Sequence, residues 1–252
     1  MKVFILTKKR LTALCFVLAA VVAAAVLSAN ALSVATVSQN RLVPIYNVKT
    51  DEKKIAISFD AAWGNEDTQK LIDIMDRYGV KATFFVVGEW VDKYPESVKA
   101  LADAGHSIQN HSDTHPHLTQ VSRQELVSQI ENCNEKIEKL TGVRPTLLRP
   151  PYGDYDNTVM QTINELKMYP IQWDVDSLDW KEYDAQTIYN KVISKVCCGS
   201  IVLFHNAALH TPEALPMIIE KLQKDGYEFV KITDLIYKDN YSINHAGTQI
   251  SN

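Results

Sequence analysis

The chain has 252 residues, 46% hydrophobic and 22% charged, a composition that suits one globular domain with a sizeable core and excludes a disordered or collagen-like chain. The charge is unevenly placed: Lys2, Lys8, Lys9, Arg10, Arg41 and Lys49 are the only charged residues before Asp51, leaving 20 bases against 30 acids, a net of −10, from residue 51 onward. So acidic a body has no broad attraction for phosphate backbones, which excludes nucleic acid as an expected partner and leaves small neutral or glycan substrates open.

The first predicted element is a targeting segment. Lys8, Lys9 and Arg10 stand directly before residues 11–29, an uncharged run rich in Ala, Val and Leu. A cleavable signal core runs about 7 to 15 residues and a membrane span needs about 20, so the length favours an anchor, while Ala29-Asn30-Ala31 offers a cleavage site. Residues 1–31 are therefore read as a signal or membrane anchor, with the N-terminus in the cytoplasm. The body is expected to be exported, anchored facing outwards or secreted if cleaved near Ala31. Leu14 before Cys15 argues against a lipid-modified cysteine. Residues 32–50, without period, read as a linker, residues 51–238 as the domain and residues 239–252 as a tail.

A regular rhythm begins at residue 54. Strand-like runs fall at 54–60, 81–88, 106–110, 146–149, 170–176, 200–205 and 228–232. Helical patterns lie between them at about 66–78, 91–104, 122–141, 155–168, 184–196 and 212–225. Gly79, Gly105, Gly142 and Gly226 each close a helical pattern, Ser122 with Glu125 fits a capping box, and Thr211 before Pro212 fits a helix start. Strict alternation of seven strands and six helices predicts an α/β fold with a mostly parallel sheet, and the repeat suits a (β/α) barrel better than a three-layer sandwich. Cys133 sits in the series Leu126, Ile130, Cys133, Ile137, Leu140 and reads as a core residue; adjacent Cys197 and Cys198 suggest no disulfide framework.

Asp60, His111, Arg149, Asp176 and His205 all fall at or just past the C-terminal ends of five different strands, the rim where β/α barrels carry their chemistry. His111 and His115, four apart, suit a shared divalent metal, whereas His106 and His117 read as structural or surface residues. A metal makes hydroxide available near neutral pH; hydrolysis of an amide then needs a base for the water's proton and an acid for the leaving amine.

Five segments appear in order: Ser58-Phe59-Asp60, His111-Ser112-Asp113-Thr114-His115, Arg149-Pro150-Pro151-Tyr152, Asp176-Ser177-Leu178-Asp179-Trp180 and Ile201-Val202-Leu203-Phe204-His205. Together they resemble the motifs of the polysaccharide deacetylases, carbohydrate esterase family 4 with its NodB-like domain, over about residues 52–236. The resemblance implies a distorted (β/α) barrel of about seven parallel strands. It also implies Asp60 as base, Arg149 as its partner, His205 as acid and Asp179 as the carboxylate that tunes it. Tyr152 would supply an oxyanion-hole N–H, Trp180 and Leu203 would line the acetyl pocket, and His111 and His115 would bind the metal, zinc with cobalt or nickel as alternatives. The family's next residue after the base is a second aspartate, the third protein ligand; here it is Ala61. Three accounts stay open: Asp60 itself ligates the metal, a nearby carboxylate such as Asp113, Glu66 or Asp67 fills the gap, or the domain is a degenerate glycan binder. The leading expectation is a monomeric, exported N-deacetylase of peptidoglycan or a chitin-like glycan. The competing readings are a catalytically weak glycan-binding envelope protein and a non-glycan amidohydrolase, since fold does not fix substrate.

Overall fold

A computed structural model describes residues 17–22, which are helical and exposed, and residues 41–252. Apart from residues 17–22, the expected signal or anchor lies outside the described residues, as do residues 32–40 of the expected linker. Among the described residues no helix is long and apolar enough to cross a membrane. From residue 47 the order is β1 (Asn47–Val48), β2 (Lys54–Ala61), α1 (Thr68–Arg77), β3 (Thr83–Val86), α2 (Gly88–Lys93), α3 (Pro95–Asp103), β4 (Ser107–Asn110) and α4 (Arg123–Thr141). It continues with β5 (Leu147–Leu148), α5 (Asn157–Glu165), β6 (Tyr169–Pro170), β7 (Val175–Asp176), α6 (Ala185–Ile193), β8 (Ile201–His205), α7 (Thr211–Lys224), β9 (Glu228–Phe229), α8 (Ile232–Leu235), β10 (Tyr241–Ile243) and β11 (Thr248–Ser251).

Along β2 the side chains alternate between two environments, as the period of a strand requires. Ile55, Ile57, Phe59 and Ala61 join the main apolar cluster with residues of α1, α2, α3 and α7, whereas Ala56 joins a second cluster with Phe85, Leu147 and Ile201. Ser58 and Asp60 share the phase of Ala56, so this second face carries polar groups into the body of the sheet. Strands run in the order β6-β5-β4-β3-β2-β8-β7, with β9 added beside the start of β2, and every pairing is parallel. This is the distorted (β/α) barrel, curled but open between β6 and β7.

That opening explains the one strand run that splits. Residues 170–176 form not one strand but two, β6 and β7, at opposite ends of the sheet, and 171–174 bridge them. The chain before β2 fills the seam: Ile45 N–H donates to Pro170 O at 2.9 Å, Gln172 N–H to Ile45 O at 2.7 Å, and Val48 N–H to Gly199 O at 3.0 Å. Ile45 and Val48 are buried. The compact unit accordingly runs from Leu42 to Asn252, so residues 42–50 are structural rather than linker. Residues 241–251, expected within a tail, instead form an antiparallel pair, β10 and β11, whose inner strand pairs with β1. Buried Gln249 ties it down, accepting from Tyr237 N–H and donating to Tyr237 O.

The helices start and stop where local chemistry dictates. Ser122 accepts from Glu125 N–H at 3.2 Å, and Asp156 and Asp184 cap α5 and α6 through Val159 and Thr187 N–H groups. Gly142 ends α4 in the left-handed region at φ 72°. The helix expected over 91–104 is two, α2 and α3, because Pro95 excludes the helical conformation from Tyr94, which sits at φ −130°, ψ 53°. Cys133 is buried in the core as expected.

Candidate active site

Register brings the two ends of the proposed chemistry together. Asp60 on β2 and His205 on β8 are directly paired positions of adjacent parallel strands, so their side chains leave the sheet on the same face at the same level. Asn110 pairs with Leu148, and therefore the next residues, His111 and Arg149, stand side by side at the same rim. Leu203 lies buried on the same face, opposite Ser58 and one pleat below His205.

Arg149 is the largest charged side chain in the interior, fully buried between the rings of Phe85 and Trp173. Its Nη1 donates to Asp60 Oδ1 at 2.7 Å and its Nη2 to Ser58 Oγ at 2.8 Å and to Gln172 O at 3.2 Å, while Nε has no partner among the described residues. A buried ion pair of this kind adds little net stability, so its visible consequence is orientation of the carboxylate. Burial opposes the Asp60 charge, but Arg149, His111 and His205 outweigh it and hold the carboxyl below the usual carboxylate range.

His111 Nδ1–H donates to Arg149 O at 2.7 Å, a tautomer that leaves Nε2 as a lone-pair donor. That Nε2 is 3.2 Å from His115 Nε2 and 3.5 Å from Asp60 Oδ2. Two nitrogens bound to one tetrahedral zinc at about 2.0–2.1 Å stand about 3.3 Å apart, so the pair fits a shared ion. Burial lowers both histidine pKa values, that of His115 to about 4 with help from His111, keeping both rings neutral as ligands must be. Among the described residues, however, no group of three His, Cys, Asp or Glu side chains is arranged to hold a metal.

The loop carrying the pair is held from behind. Gln129 Oε1 on α4 accepts the Asp113 and Thr114 N–H groups, Ser112 Oγ accepts His115 N–H, and Lys136 Nζ contacts Asp113 Oδ1 at 2.6 Å and Asp92 at 2.8 Å. Asp113, expected as a possible ligand, is thus turned to Lys136. Its Oδ1 packs so close to Gly88 that a Cβ there would stand 1.9 Å away. Nor do the other two carboxylates reach the histidines: Asp67 Oδ2 accepts Ala207 N–H and Glu66 Oε2 accepts Asn65 N–H. Asp60 Oδ2 is left as the carboxylate oxygen facing the pair.

On the opposite side, Asp179 is buried and accepts four hydrogen bonds: from His205 Nδ1 at 2.8 Å, His205 N–H at 2.9 Å, Thr211 Oγ1 at 2.7 Å and Trp180 N–H at 2.9 Å. Burial works against a charged His205, but Asp179, then Asp60 and Asp176, outweigh it and raise its pKa. Asp176 Oδ1 accepts Leu178 N–H, so it borders the site through charge and as a turn former. Trp180 and Tyr152 are exposed, 52% and 62%. Tyr152 stacks on His117 with centroids 4.2 Å apart and meets His115 edge-on at 4.6 Å; His117 in turn contacts Asp154. His106 lies outside the site, its Nδ1 accepting Ala82 N–H.

Five non-glycine residues with left-handed backbone border these groups: Ser112 (φ 66°), His115 (59°), Tyr152 (60°), Leu178 (54°) and Ala207 (55°). Each costs about 1–3 kcal/mol, and such strain collects where side-chain aim matters. Sequence reasoning gave Ser58 no role beyond its place in the first motif, though alternation two residues before Asp60 puts it on the same face, and it missed Trp63. The Trp63 ring lies parallel to His205 (centroids 6.3 Å, 10°) and edge-on to His115 (6.5 Å).

Residues 47–171 match the family model for polysaccharide deacetylases. The chain is 33% identical over 193 residues to the uncharacterized protein YlxY of Bacillus subtilis, covering 77% of this chain and 60% of that protein. It is 36% identical to the peptidoglycan-N-acetylmuramic acid deacetylase PdaC of the same organism, covering 75% of this chain and only 40% of the relative. The peptidoglycan-N-acetylglucosamine deacetylase of Bacillus cereus is 35% identical, with 73% of this chain and 69% of that protein covered. Among solved structures, a family 4 pseudoenzyme from Bacillus anthracis superposes with a TM-score of 0.74 at 34% identity, over 77% of this chain and 69% of that one, and a mutant of that pseudoenzyme with restored enzymatic activity superposes with the same score. With its barrel, its rim of paired acid and base candidates and these relatives, the chain belongs to the polysaccharide deacetylase family.

Proposed function

We propose that this chain is a metal-dependent N-deacetylase of envelope glycan, hydrolysing the acetamide of N-acetylglucosamine-type sugars in peptidoglycan or a chitin-like polymer. The observation that carries the reading is the opposition, across one rim, of an ionised Asp60 oriented by Arg149 and a His205 whose charge Asp179 favours. Asp60 takes a proton from the attacking water as its oxygen bonds to the acetamide carbon. His205 then protonates the amine as the carbon–nitrogen bond breaks, releasing acetate. His111 and His115 would hold a divalent ion, zinc, cobalt or nickel, which supplies Lewis acidity toward the water and the carbonyl. With Ala61 in place of a carboxylate, two imidazoles alone make a weaker site than three dedicated ligands, and the facing Asp60 Oδ2 is the oxygen that takes the water's proton. Tyr152, Trp180 and Leu203 would wall the acetyl-binding groove. The basic, apolar N-terminal segment supports an exported protein, tethered or secreted.

Ala61 also supports a second reading, a catalytically weak glycan-binding protein, since a relative of the same fold is a pseudoenzyme. Acetate release from N-acetylglucosamine oligomers and peptidoglycan, with each metal supplied, separates the two. His205→Ala should lower turnover by about 10²–10⁴ while leaving metal content intact. An unchanged rate in that variant overturns the acid assignment.

A further inference from the structure

Trp63 lies in no motif of the site, yet its indole borders both the candidate acid and a candidate metal ligand. It is 53% exposed, whereas tryptophan is highly buried on average. Its backbone is not loose. Buried Asn206, the residue after His205, donates through Nδ2 to Trp63 O and Gly64 O, both at 2.6 Å, and Trp90 Nε1 donates to Gly64 O at 2.6 Å. Asp67 Oδ2 accepts Ala207 N–H at 2.9 Å, so the loop after β2 and the loop after β8 are fastened at two points. The fastened loops present Trp63 and Leu209, the latter 67% exposed. Within residues 41–252 the exposed large apolar side chains are Trp63, Val143, Tyr152, Trp180 and Leu209, and all but Val143 stand on loops that follow the rim ends of the strands.

We propose that Trp63 is a specificity-determining residue: its indole is the stacking platform for the pyranose ring beside the reacting acetamide, and Leu209 extends that wall along the glycan. The occupant follows from the chemistry. A pyranose has apolar C–H faces and a hydroxylated edge, so it can lie on a rigid, half-exposed aromatic face while its edge stays in water. A flat apolar peptide would need a broader continuous patch, and the acidic body offers nothing to a polyanion. The platform is fixed before the sugar arrives, so little ordering cost is added on binding. This inference rests on the glycan reading of the site but not on turnover.

The test uses the full-length protein, with calorimetric titration of N-acetylglucosamine pentamer into wild type, Trp63→Ala, Trp63→Phe and Leu209→Ser, and acetate release measured alongside. Trp63→Ala should weaken oligomer binding about tenfold and raise KM to match with kcat nearly unchanged, and Trp63→Phe should restore most of the loss. Leu209→Ser should weaken the pentamer more than the dimer. Thermal melts confirm folding, and the phenylalanine variant keeps an aromatic ring should the alanine variant prove unstable. If wild type binds the pentamer, releases no acetate, and loses binding in Trp63→Ala, the hydrolase reading falls and the platform stands. Binding and KM unchanged in Trp63→Ala overturn the platform, as does a fall in kcat with no change in binding.

Discussion

Replacing Asp179 by asparagine changes one atom and tests the coupling between charge and geometry at the acid. The carboxylate accepts from His205 Nδ1 and Trp180 N–H through Oδ1, and from His205 N–H and Thr211 Oγ1 through Oδ2. An amide must turn its NH₂ toward one of these pairs of donors, and both oxygens face at least one N–H that cannot rotate away. One unsatisfied buried contact costs about 1–3 kcal/mol, which in a domain of this size lowers Tm by roughly 3–10 °C. The larger effect is on protonation. With the negative charge gone, burial dominates and the His205 pKa falls, because the adjacent opposite charge that raised it is lost. Because the acid must be protonated, the alkaline limb of kcat/KM should move to lower pH, with turnover at neutral pH reduced. The sign for stability follows from the raised pKa in the native state. In wild type the His205 contribution is fully present below the unfolded histidine value, about 6.5, and is lost as pH rises through the higher folded value. The variant should lack that decline. Acetate release from pH 5 to 10 and Tm over the same range would measure both, and the ring's own titration can be followed by NMR. An alkaline limb that stays in place, with Tm falling as in wild type, refutes the assignment of Asp179 as the group that keeps His205 charged.

Ala61→Asp should tighten zinc binding and raise turnover if the absent carboxylate is the site's main defect, as measured by metal titration. Little gain, together with metal loss in Asp60→Asn, would instead identify Asp60 as a ligand. His111→Ala and His115→Ala should each remove most bound metal, because among the described residues no third side chain completes the pair into a metal site; unchanged occupancy in both refutes the pair. A protein beginning at residue 51 forfeits the burial of Ile45 and Val48, each worth about 1.5–3 kcal/mol, and opens the seam between β6 and β7. Its denaturant midpoint should fall well below that of one beginning at Leu42, and equal midpoints would show that residues 42–50 contribute nothing.

The long parallel strands β2 and β8 were legible because their apolar runs are continuous and bounded by turns, and the rim residues were legible because they sit at the ends of those runs. The seam was not. Residues 45–48 and 248–251 pair through backbone hydrogen bonds over two to four residues, too short to show a period, and their partners lie far off in sequence. Residues 170–176 read as one apolar run because composition does not say that its halves belong to opposite edges of the sheet. Within the site, Asp60, His111, Arg149 and His205 stand together at the rim as their strand ends suggested, His115 joins His111 as its spacing suggested, and Asp179 meets His205 as the family resemblance implied. Asp113 was ambiguous because a carboxylate between two histidines can point either way, and Lys136, 23 residues on, decides it. Trp63 was missed for a related reason: what makes it more than a surface tryptophan is Asn206, 143 residues away, holding its carbonyl.

The central claim is hydrolysis with a metal held by the histidine pair. Its most direct measurement is acetate released from peptidoglycan and N-acetylglucosamine oligomers by the full-length protein, first stripped by chelator and then given zinc, cobalt or nickel, beside His111→Ala treated alike. The account predicts release that is absent after stripping, returns with added metal and does not return in the variant. Glycan binding by a correctly folded wild type with no acetate released under any of the three metals would contradict it.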